Sequence, residues 1–153
     1  MIKKLTSGGQ SGVDRAALDI ALELGLECGG WCPKGRVAED GMIDNRYPLK
    51  ETPTDEYVQR TEWNVRDADG TLILCRGTPT GGTGVTKEMA AKHKKPCIHV
   101  NFFTEPMPEF VRNWASQHNI KTLNIAGPRE SKNPGIYDQA TKFLKKLFEG
   151  WKD

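Results

Sequence analysis

The sequence predicts a single doubly wound α/β domain over residues 1–153, with a parallel five-stranded sheet and helices on both faces. Short apolar runs alternate with segments of helical periodicity along the whole chain. Residues 71–75 (TLILC) form a continuous apolar run, which is typical of a strand that is buried on both faces. A length of 153 residues fits one domain that folds without a disulfide or a metal.

The same periodicities place the individual elements. The strands are expected near residues 5–7 and at 26–31, 71–75, 96–100 and 123–126. The helices are expected at 13–24, 54–67, 83–94 and 108–118, and from Pro134 onward. Gly25 ends the first helix and Thr54 caps the second. Residues 33–53 lack periodicity and predict a long loop, which in a compact domain is usually functional or disordered.

Composition excludes several classes of partner. The chain has 22 Lys and Arg against 20 Asp and Glu, a net charge of +2, which argues against nucleic-acid binding. It has no apolar run long enough for a membrane span and no apolar leader before its first motif, so a cytoplasmic location is expected. No metal site is expected, because the four cysteines lack zinc-ligand spacing and suit packing as reduced thiols: Cys28, Cys32, Cys75 and Cys97.

Two glycine-rich turns, each between a strand and a helix, predict an anion site. Backbone N–H groups at a helix N-terminus favour a phosphate, and glycines let the ligand approach closely. The first turn, residues 7–15, contributes Gly8, Gly9, Gln10, Ser11, Gly12 and Asp14. The second, residues 78–88, contributes Gly81, Gly82 and Thr83. Neither turn matches the dinucleotide fingerprint or the P-loop, and each could simply be a tight turn.

Further charged residues are weaker candidates. Arg129 follows the last strand, and its planar guanidinium suits a phosphate or carboxylate. Lys34 and Arg36 lie in the long loop, while Arg60 and Asn64 share one face of the second helix. A solvated loop or helix face is the alternative interpretation for all of them.

Five segments together resemble the molybdenum carrier family, and the resemblance covers nearly the whole chain. The segments are residues 7–19 (SGGQSGVDRAALD), 30–36 (GWCPKGR), 60–67 (RTEWNVRD), 80–83 (TGGT) and 126–131 (AGPRES). That family is similar to molybdenum-cofactor carrier proteins. It belongs to a Rossmann-like superfamily with the lysine decarboxylase-like phosphoribohydrolases. The resemblance implies a doubly wound fold with a nucleotide or nucleotide-like ligand over the glycine turns.

The enzymes of that superfamily carry a P-G-G-x-G-T-x-x-E turn and an arginine on the preceding helix. This chain matches the turn at Gly81, Gly82, Gly84 and Glu88 and departs from it at Thr80 and Val85. Arg60 falls at the position of the arginine, followed by Thr61 where those enzymes have lysine. The strand that precedes their first motif is missing here, which implies the strand order 2-1-3-4-5 and brings the two glycine turns together.

Two functions follow as hypotheses. The first is a binding or carrier protein for an anionic phosphate-bearing cofactor, the molybdenum cofactor or a related nucleotide. The alternative is an N-glycosidic hydrolase of nucleotide monophosphates that uses Arg60 and Glu88. Beyond the ligand, the expected partners are molybdoenzyme apoproteins and a second copy of the chain. The expected ligand-binding residues are Gly8, Gly9, Gln10, Ser11, Gly12, Asp14, Lys34, Arg36, Asn64, Gly81, Gly82, Thr83 and Arg129.

Overall fold

A computed structural model describes residues 1–151, so the last two positions of the predicted domain, Lys152 and Asp153, lie outside the described residues. Within residues 1–151 the strands are β1 (Lys4–Thr6), β2 (Glu27–Gly29), β3 (Trp31–Cys32), β4 (Val37–Ala38), β5 (Gly41–Met42), β6 (Lys50–Glu51), β7 (Gly70–Cys75), β8 (Cys97–Asn101) and β9 (Thr122–Ala126). The helices are α1 (Val13–Leu24), α2 (Tyr57–Asp67), α3 (Gly81–Lys92), α4 (Pro108–Gln117) and α5 (Ile136–Phe148).

Five strands form a parallel sheet in the order β2-β1-β9-β7-β8. Helix α5 packs against both α1 and α4, and α2 packs against α3. Because crossovers between parallel strands are right-handed, these two groups of helices cover opposite faces of the sheet. The predicted fold class, a doubly wound α/β sheet, is therefore confirmed.

The predicted strand order 2-1-3-4-5 is wrong at one place, because the last strand, β9, lies between β1 and β7. Its middle residues Leu123, Asn124 and Ile125 are all buried, as expected of a strand with neighbours on both sides. The edge is instead occupied by β8, where His99 is exposed. Counting the unit β9–α5 as the first of the chain turns the order into 3-2-1-4-5, which is the Rossmann order.

The main core lies between the sheet and the helices α1, α4 and α5. Strand residues such as Leu72 and Ile125 pack there against Ala17, Val111 and Leu144 from the three helices. α1 ends as predicted, since Gly25 adopts a left-handed conformation (φ 71°) and its N–H bonds the last helical carbonyls. The apolar stripe of α5 is buried along its length, which anchors the C-terminal unit in the middle of the fold.

The region predicted as one strand and one loop has more structure than expected. Gly30, at φ 122°, divides the second strand into β2 and β3. Within the predicted loop, β4 and β5 form an antiparallel hairpin, and β6 pairs with β3. Strands of two residues are too short for a periodicity signal, which explains why the sequence does not predict them.

Three predicted helix starts are shifted. α2 begins at Tyr57 with Glu56 as its N-cap, so the predicted capping by Thr54 is wrong; the Thr54 hydroxyl accepts a hydrogen bond from Glu56 N (3.3 Å) ahead of the helix. α5 begins at Ile136, after a left-handed Gly135 (φ 91°). α3 begins at Gly81, so the second glycine turn is the first turn of the helix itself. No helix within residues 1–151 is long and apolar enough to cross a membrane.

Candidate functional site

A cavity of about 380 Å³ opens where β1, β9 and β7 end, at the edge of the sheet that carries their carboxyl ends. In the Rossmann order, β9 and β7 are the two strands between which the strand order reverses, and ligands of such sheets bind at this point. The volume lies in the range of small-molecule sites, roughly 300–1,000 Å³. The topology therefore favours this cavity as the candidate ligand site.

Both predicted glycine turns line the cavity, together with α2 and with residues of the segment 126–135 at the end of β9, which we call the third turn. The first turn contributes Gly8, Gln10 and Asp14, and the second contributes residues around Gly81 and Gly82. The third turn lies between them, because β9 separates β1 from β7; its lining residues are Ala126, Gly127, Pro128, Arg129, Lys132 and Asn133. The two glycine turns thus face each other across the third turn and are not immediate neighbours.

Arg60 and Asp14 form a buried ion pair at the cavity wall. Arg60 Nη1 donates to Asp14 Oδ2 at 2.9 Å, and the two side chains are only 12% and 7% exposed. A Cβ atom at position 8 would overlap the Arg60 guanidinium, so Gly8 is the residue that lets this arginine lie across the first turn. The Nε of Arg60 is buried and has no hydrogen-bond partner within the described chain.

The charge of Asp14 depends on this pairing. Burial raises the pKa of the Asp14 carboxyl, and the Arg60 guanidinium and a hydrogen bond from Gln10 N (3.3 Å) oppose that rise. A buried carboxylate is unfavourable without a counter-charge. The structure therefore makes Arg60 the main compensation for Asp14, and Asp14 the group that fixes one end of the guanidinium.

α2 is held in place by β3, which explains the position of Asn64. The Asn64 amide accepts from Trp31 N (2.8 Å) and donates to Trp31 O (2.9 Å), and Asp67 accepts from Trp31 Nε1 (2.9 Å). Asn64 lines the cavity as predicted, but both ends of its amide bind the backbone of β3. Its role in the site is to position α2, and with it Arg60.

Two cationic residues of the cavity were not among the predicted site residues. Arg76 and Lys132 line it together with the predicted Arg60 and Arg129. Arg76 donates to Gln139 Oε1 (2.8 Å) and to the carbonyl of Pro134 (2.9 Å). Its signal in the sequence was its position directly after the buried strand, at the carboxyl end where ligands bind.

The charge balance of the cavity is strongly positive. Among the lining residues that the structure describes, four are cationic and one, Asp14, is acidic. That carboxylate is already paired with Arg60. A chain whose net charge is only +2 therefore concentrates its positive charge in this cavity, which favours an anionic ligand.

The first turn of α3 leaves open space beside its backbone. A Cβ atom added at Gly81 or Gly82 would meet no atom within 4 Å. Thr83 and Thr86 are buried in the lining, and the Thr86 hydroxyl bonds the carbonyl of Gly82 at 3.3 Å. A ligand could thus approach the N-terminus of this 12-residue helix without steric hindrance from side chains.

Several predicted ligand residues make contacts within the protein instead. Gln10 lines the cavity, but its Oε1 accepts from Ser11 N (3.0 Å) and Glu39 N (2.8 Å). The Ser11 hydroxyl donates to the Glu39 carboxylate and accepts from Glu130 N (3.1 Å). Gly12 (φ 76°) is the N-cap of α1, and a Cβ atom at this position would overlap the carbonyl of Pro128. These contacts join the first turn to the third turn and to the β4–β5 hairpin.

The structure does not bring five of the predicted ligand residues into the cavity lining: Gly9, Ser11, Gly12, Lys34 and Arg36. Gly9 (φ 78°) is packed against Ile43 and Leu49. Lys34 is exposed. Arg36 donates to four backbone carbonyls of the long loop, at Ile43, Asp44, Tyr47 and Leu49 (2.7–3.3 Å). Arg36 therefore organises the loop and is not available for a ligand.

The pair expected for a hydrolase is not brought together. Arg60 lines the cavity, but Glu88 is exposed on α3 and does not belong to the lining. A general base must lie within hydrogen-bond reach of the proton that it removes. This arrangement gives the hydrolase hypothesis no carboxylate beside Arg60 other than Asp14, whose Oδ2 is bound by that arginine. Within residues 1–151, no three His, Cys, Asp or Glu side chains are grouped to hold a metal ion.

Comparison with known proteins identifies the family. Residues 5–148 match the family described as "Circularly permutated YpsA SLOG family". The chain belongs to this family. A circular permutation agrees with the sheet, in which moving β9–α5 to the front of the chain restores the order 3-2-1-4-5.

A solved relative supports the same assignment. The crystal structure of a protein from Syntrophus aciditrophicus SB, named "Putative molybdenum carrier protein", is 44% identical, with a TM-score of 0.91 over 96% of this chain and 95% of that chain. The predicted resemblance to the molybdenum carrier family is therefore confirmed. The structure of (E)-4-hydroxy-3-methyl-but-2-enyl diphosphate reductase, 12% identical over 95% of this chain and 59% of that one, has a TM-score of 0.41, too low to support an argument. Curated proteins gave no match.

Proposed function

We propose that this protein binds and carries an anionic, phosphate-bearing cofactor, and that the molybdenum cofactor or a related nucleotide is the class of ligand. The observation that carries the proposal is the charge of the cavity at the strand-order reversal. Four cationic side chains line it, and its one acidic lining residue, Asp14, forms an ion pair with Arg60. The name of the Syntrophus relative adds support for a carrier role.

The phosphate would lie between the start of α3 and the third turn. The backbone beside Gly81 and Gly82 is open, and the positive end of the α3 dipole favours an anion. Arg129 and Lys132 supply charge from the opposite side of the cavity. Arg129 lines the cavity and its side chain is 36% exposed, so its guanidinium is accessible to a phosphate.

The remaining wall suits a planar ring. Tyr57, Val85, Ile125 and Pro128 contribute apolar or aromatic surface to the same cavity. A pterin or purine ring has two apolar faces and a polar edge, which such a wall can contact while the phosphate is held at the charged end. A carrier needs only this binding, and molybdoenzyme apoproteins would be the partners that receive the cofactor.

The proposal is tested by binding experiments on the full chain. Thermal-shift measurements with AMP, GMP, a pterin phosphate, inorganic phosphate and molybdate are followed by calorimetry for the ligands that stabilise. Adenosine and an unphosphorylated pterin are the matched ligand controls. We expect stabilisation by phosphate-bearing compounds and little by their unphosphorylated forms. No stabilisation by any phosphate-bearing compound would refute the proposal.

Two lysines allow a matched pair of variants. Lys132→Gln removes a cation from the cavity, whereas Lys34→Gln makes the same change at an exposed position outside it. A hydrogen bond to a charged group contributes about 1.5–3 kcal/mol, so Lys132→Gln should weaken the Kd by roughly tenfold or more. Lys34→Gln should leave it within twofold. Equal effects of the two changes would contradict the placement of the ligand. Chromatography of AMP after incubation with the protein tests the alternative function, an N-glycosidic hydrolase, which would release free adenine.

A further inference from the structure

Glu39 joins three parts of the chain behind the cavity. Glu39 lies in the turn between β4 and β5, and its carboxylate accepts hydrogen bonds from the first turn and from the third turn. Ser131 donates to it twice, from the backbone N at 3.1 Å and from the hydroxyl at 2.5 Å. The Ser11 hydroxyl donates to the same carboxylate. One side chain of the hairpin thus holds the first and the third turn together.

The same carboxylate lies against Arg129. Glu39 Oε2 is 3.4 Å from Arg129 Nε, which is buried and has no hydrogen-bond partner of its own among the described residues. Arg129 also lines the cavity. The guanidinium is therefore faced by a negative charge at its Nε, while the same side chain lines the cavity and carries two further donor nitrogens. A fork held in this way loses less conformational freedom when it binds.

The hairpin does not depend on the Glu39 side chain for its own position. The backbone N of Glu39 donates to Gln10 Oε1 at 2.8 Å. The neighbouring Asp40 accepts two hydrogen bonds from Arg15, at 3.0 and 3.1 Å. Removing the Glu39 carboxylate should therefore leave the hairpin in place and mainly affect Ser11, Ser131 and Arg129, which the carboxylate contacts.

Glu39 is charged at neutral pH. Burial works against the charged form, but the hydrogen bonds from Ser11 and Ser131 and the charge of Arg129 outweigh it and lower the pKa of the carboxyl. No residue of the hairpin lines the cavity, so Glu39 acts on a bound ligand only through other groups.

We propose that Glu39 is a positioning residue, which orients the Arg129 guanidinium toward the cavity and couples the β4–β5 hairpin to the ligand site. The consequence for ligand affinity rests on the proposed function, whereas the orientation of Arg129 does not. A carboxylate that only held the two turns together would affect ligand affinity whether or not Arg129 is present, because it binds Ser131 in the same turn. The two roles are therefore separable by combining measurements on Arg129 with the effect of Glu39→Gln in an Arg129→Gln background.

The test compares Glu39→Gln with Asp40→Asn in the full-length protein. Both changes remove one carboxylate from adjacent positions of the same turn, but the Asp40 carboxylate pairs with Arg15 and not with Arg129. The readout is the Nε–Hε resonance of Arg129 in NMR spectra, assigned by its loss in Arg129→Lys. We expect solvent exchange of this proton to accelerate at least tenfold in Glu39→Gln and to stay within twofold in Asp40→Asn.

Calorimetry with AMP supplies the second readout. Glu39→Gln should weaken AMP binding about fivefold, and Asp40→Asn should leave it within twofold. In an Arg129→Gln background, Glu39→Gln should have no further effect on affinity, because the residue that it positions is gone. Glu39→Asp keeps the charge but shortens the reach, and it should reproduce the faster exchange if Glu39→Gln fails to fold.

The outcomes separate this proposal from the proposed function. Unchanged exchange at Arg129 in Glu39→Gln, or an equal change in Asp40→Asn, would overturn the positioning role even if the protein binds AMP. If the unchanged protein binds no phosphate-bearing compound but Glu39→Gln still accelerates exchange at Arg129, the proposed function fails and the positioning role is supported.

Discussion

The pair between Arg60 and Asp14 gives a quantitative prediction for Arg60→Met. The substitution keeps much of the side-chain volume but removes the charge 2.9 Å from a carboxylate that is 7% exposed. Breaking a buried pair by removing one partner typically costs about 3–5 kcal/mol, because the remaining charge is left uncompensated. For a domain of this size, each kcal/mol lowers the Tm by about 2–4 °C. We expect Arg60→Met to lower the Tm by roughly 6–20 °C.

Thermal unfolding at pH 7 measures the Tm, urea unfolding at the same pH measures the free energy of unfolding, and α2 itself provides the control. Arg66 pairs with Asp67 on the same helix, but these side chains are 42% and 48% exposed. Exposed pairs contribute about 0–1 kcal/mol, so Arg66→Met should reduce the free energy of unfolding by less than 1 kcal/mol. Adding Asp14→Asn to Arg60→Met should recover much of the loss, with a coupling energy of about 2 kcal/mol.

The pH dependence of Arg60→Met follows from the direction of the Asp14 pKa. Burial already raises the pKa of this carboxyl in the folded protein, and loss of Arg60 removes a group that lowers it. The folded variant therefore binds the proton more tightly than the unfolded chain does, and this stabilisation is lost as the pH rises through the folded-state pKa. The penalty should be smaller at pH 5 than at pH 7. A loss below about 1 kcal/mol at pH 7, or one that does not change with pH, would refute the argument.

Three further predictions concern two glycines of the cavity, the amide of Asn64 and the thiol of Cys97. Gly127→Ala should destabilise by about 1–3 kcal/mol in urea unfolding, because its Cβ would overlap the carbonyl of Leu74; Gly82→Ala, with open space around it, should keep its stability but bind AMP more weakly. Asn64→Leu leaves the part-buried N–H and C=O groups of Trp31 without their side-chain partner and should cost about 2 kcal/mol, measured in the same way. Burial raises the pKa of Cys97 to about 11, so roughly one Cys97 thiol in a thousand is ionised at pH 8. Alkylation of Cys97 by iodoacetamide, followed by peptide mass spectrometry, should be slow at pH 8 and rise about tenfold per pH unit up to about pH 11; a rate at Cys97 that levels off near pH 8 would contradict this.

Periodicity predicted the fold class but not the order of the strands. The run at residues 71–75 became β7, buried at every position, and the position of Gly25 fixed the end of α1. Local patterns describe what each segment is, whereas strand order depends on which segments pair at long range. One signal was present: Asn124 lies inside an apolar run, and its amide is satisfied by Thr6 and Thr71 on the two neighbouring strands. A polar residue of this kind requires neighbours on both sides.

The glycine turns predicted the place of the candidate cavity better than they predicted which side chains line it. Gly8 and Gly82 line the cavity, as does Arg60. Ser11 and Arg36 have the right chemistry for an anion, but the protein itself supplies their partners, a carboxylate and four backbone carbonyls. Residue type indicates which contacts a side chain can make. It does not indicate which contacts are already satisfied within the fold, and this requires the three-dimensional structure.

The central position of β9 has a consequence for how the protein is made. During synthesis the chain emerges from its N-terminus, so β1 and β7 are available long before the strand that separates them. β1 and β9 pair across 118 residues, as between Thr6 and Asn124, and such distant pairing slows folding. The third turn, which bears Arg129 and Lys132, is also the last part of the cavity to be translated. A nascent chain that ends before residue 122 therefore lacks both its middle strand and the third turn of the candidate cavity, and acquires the two together.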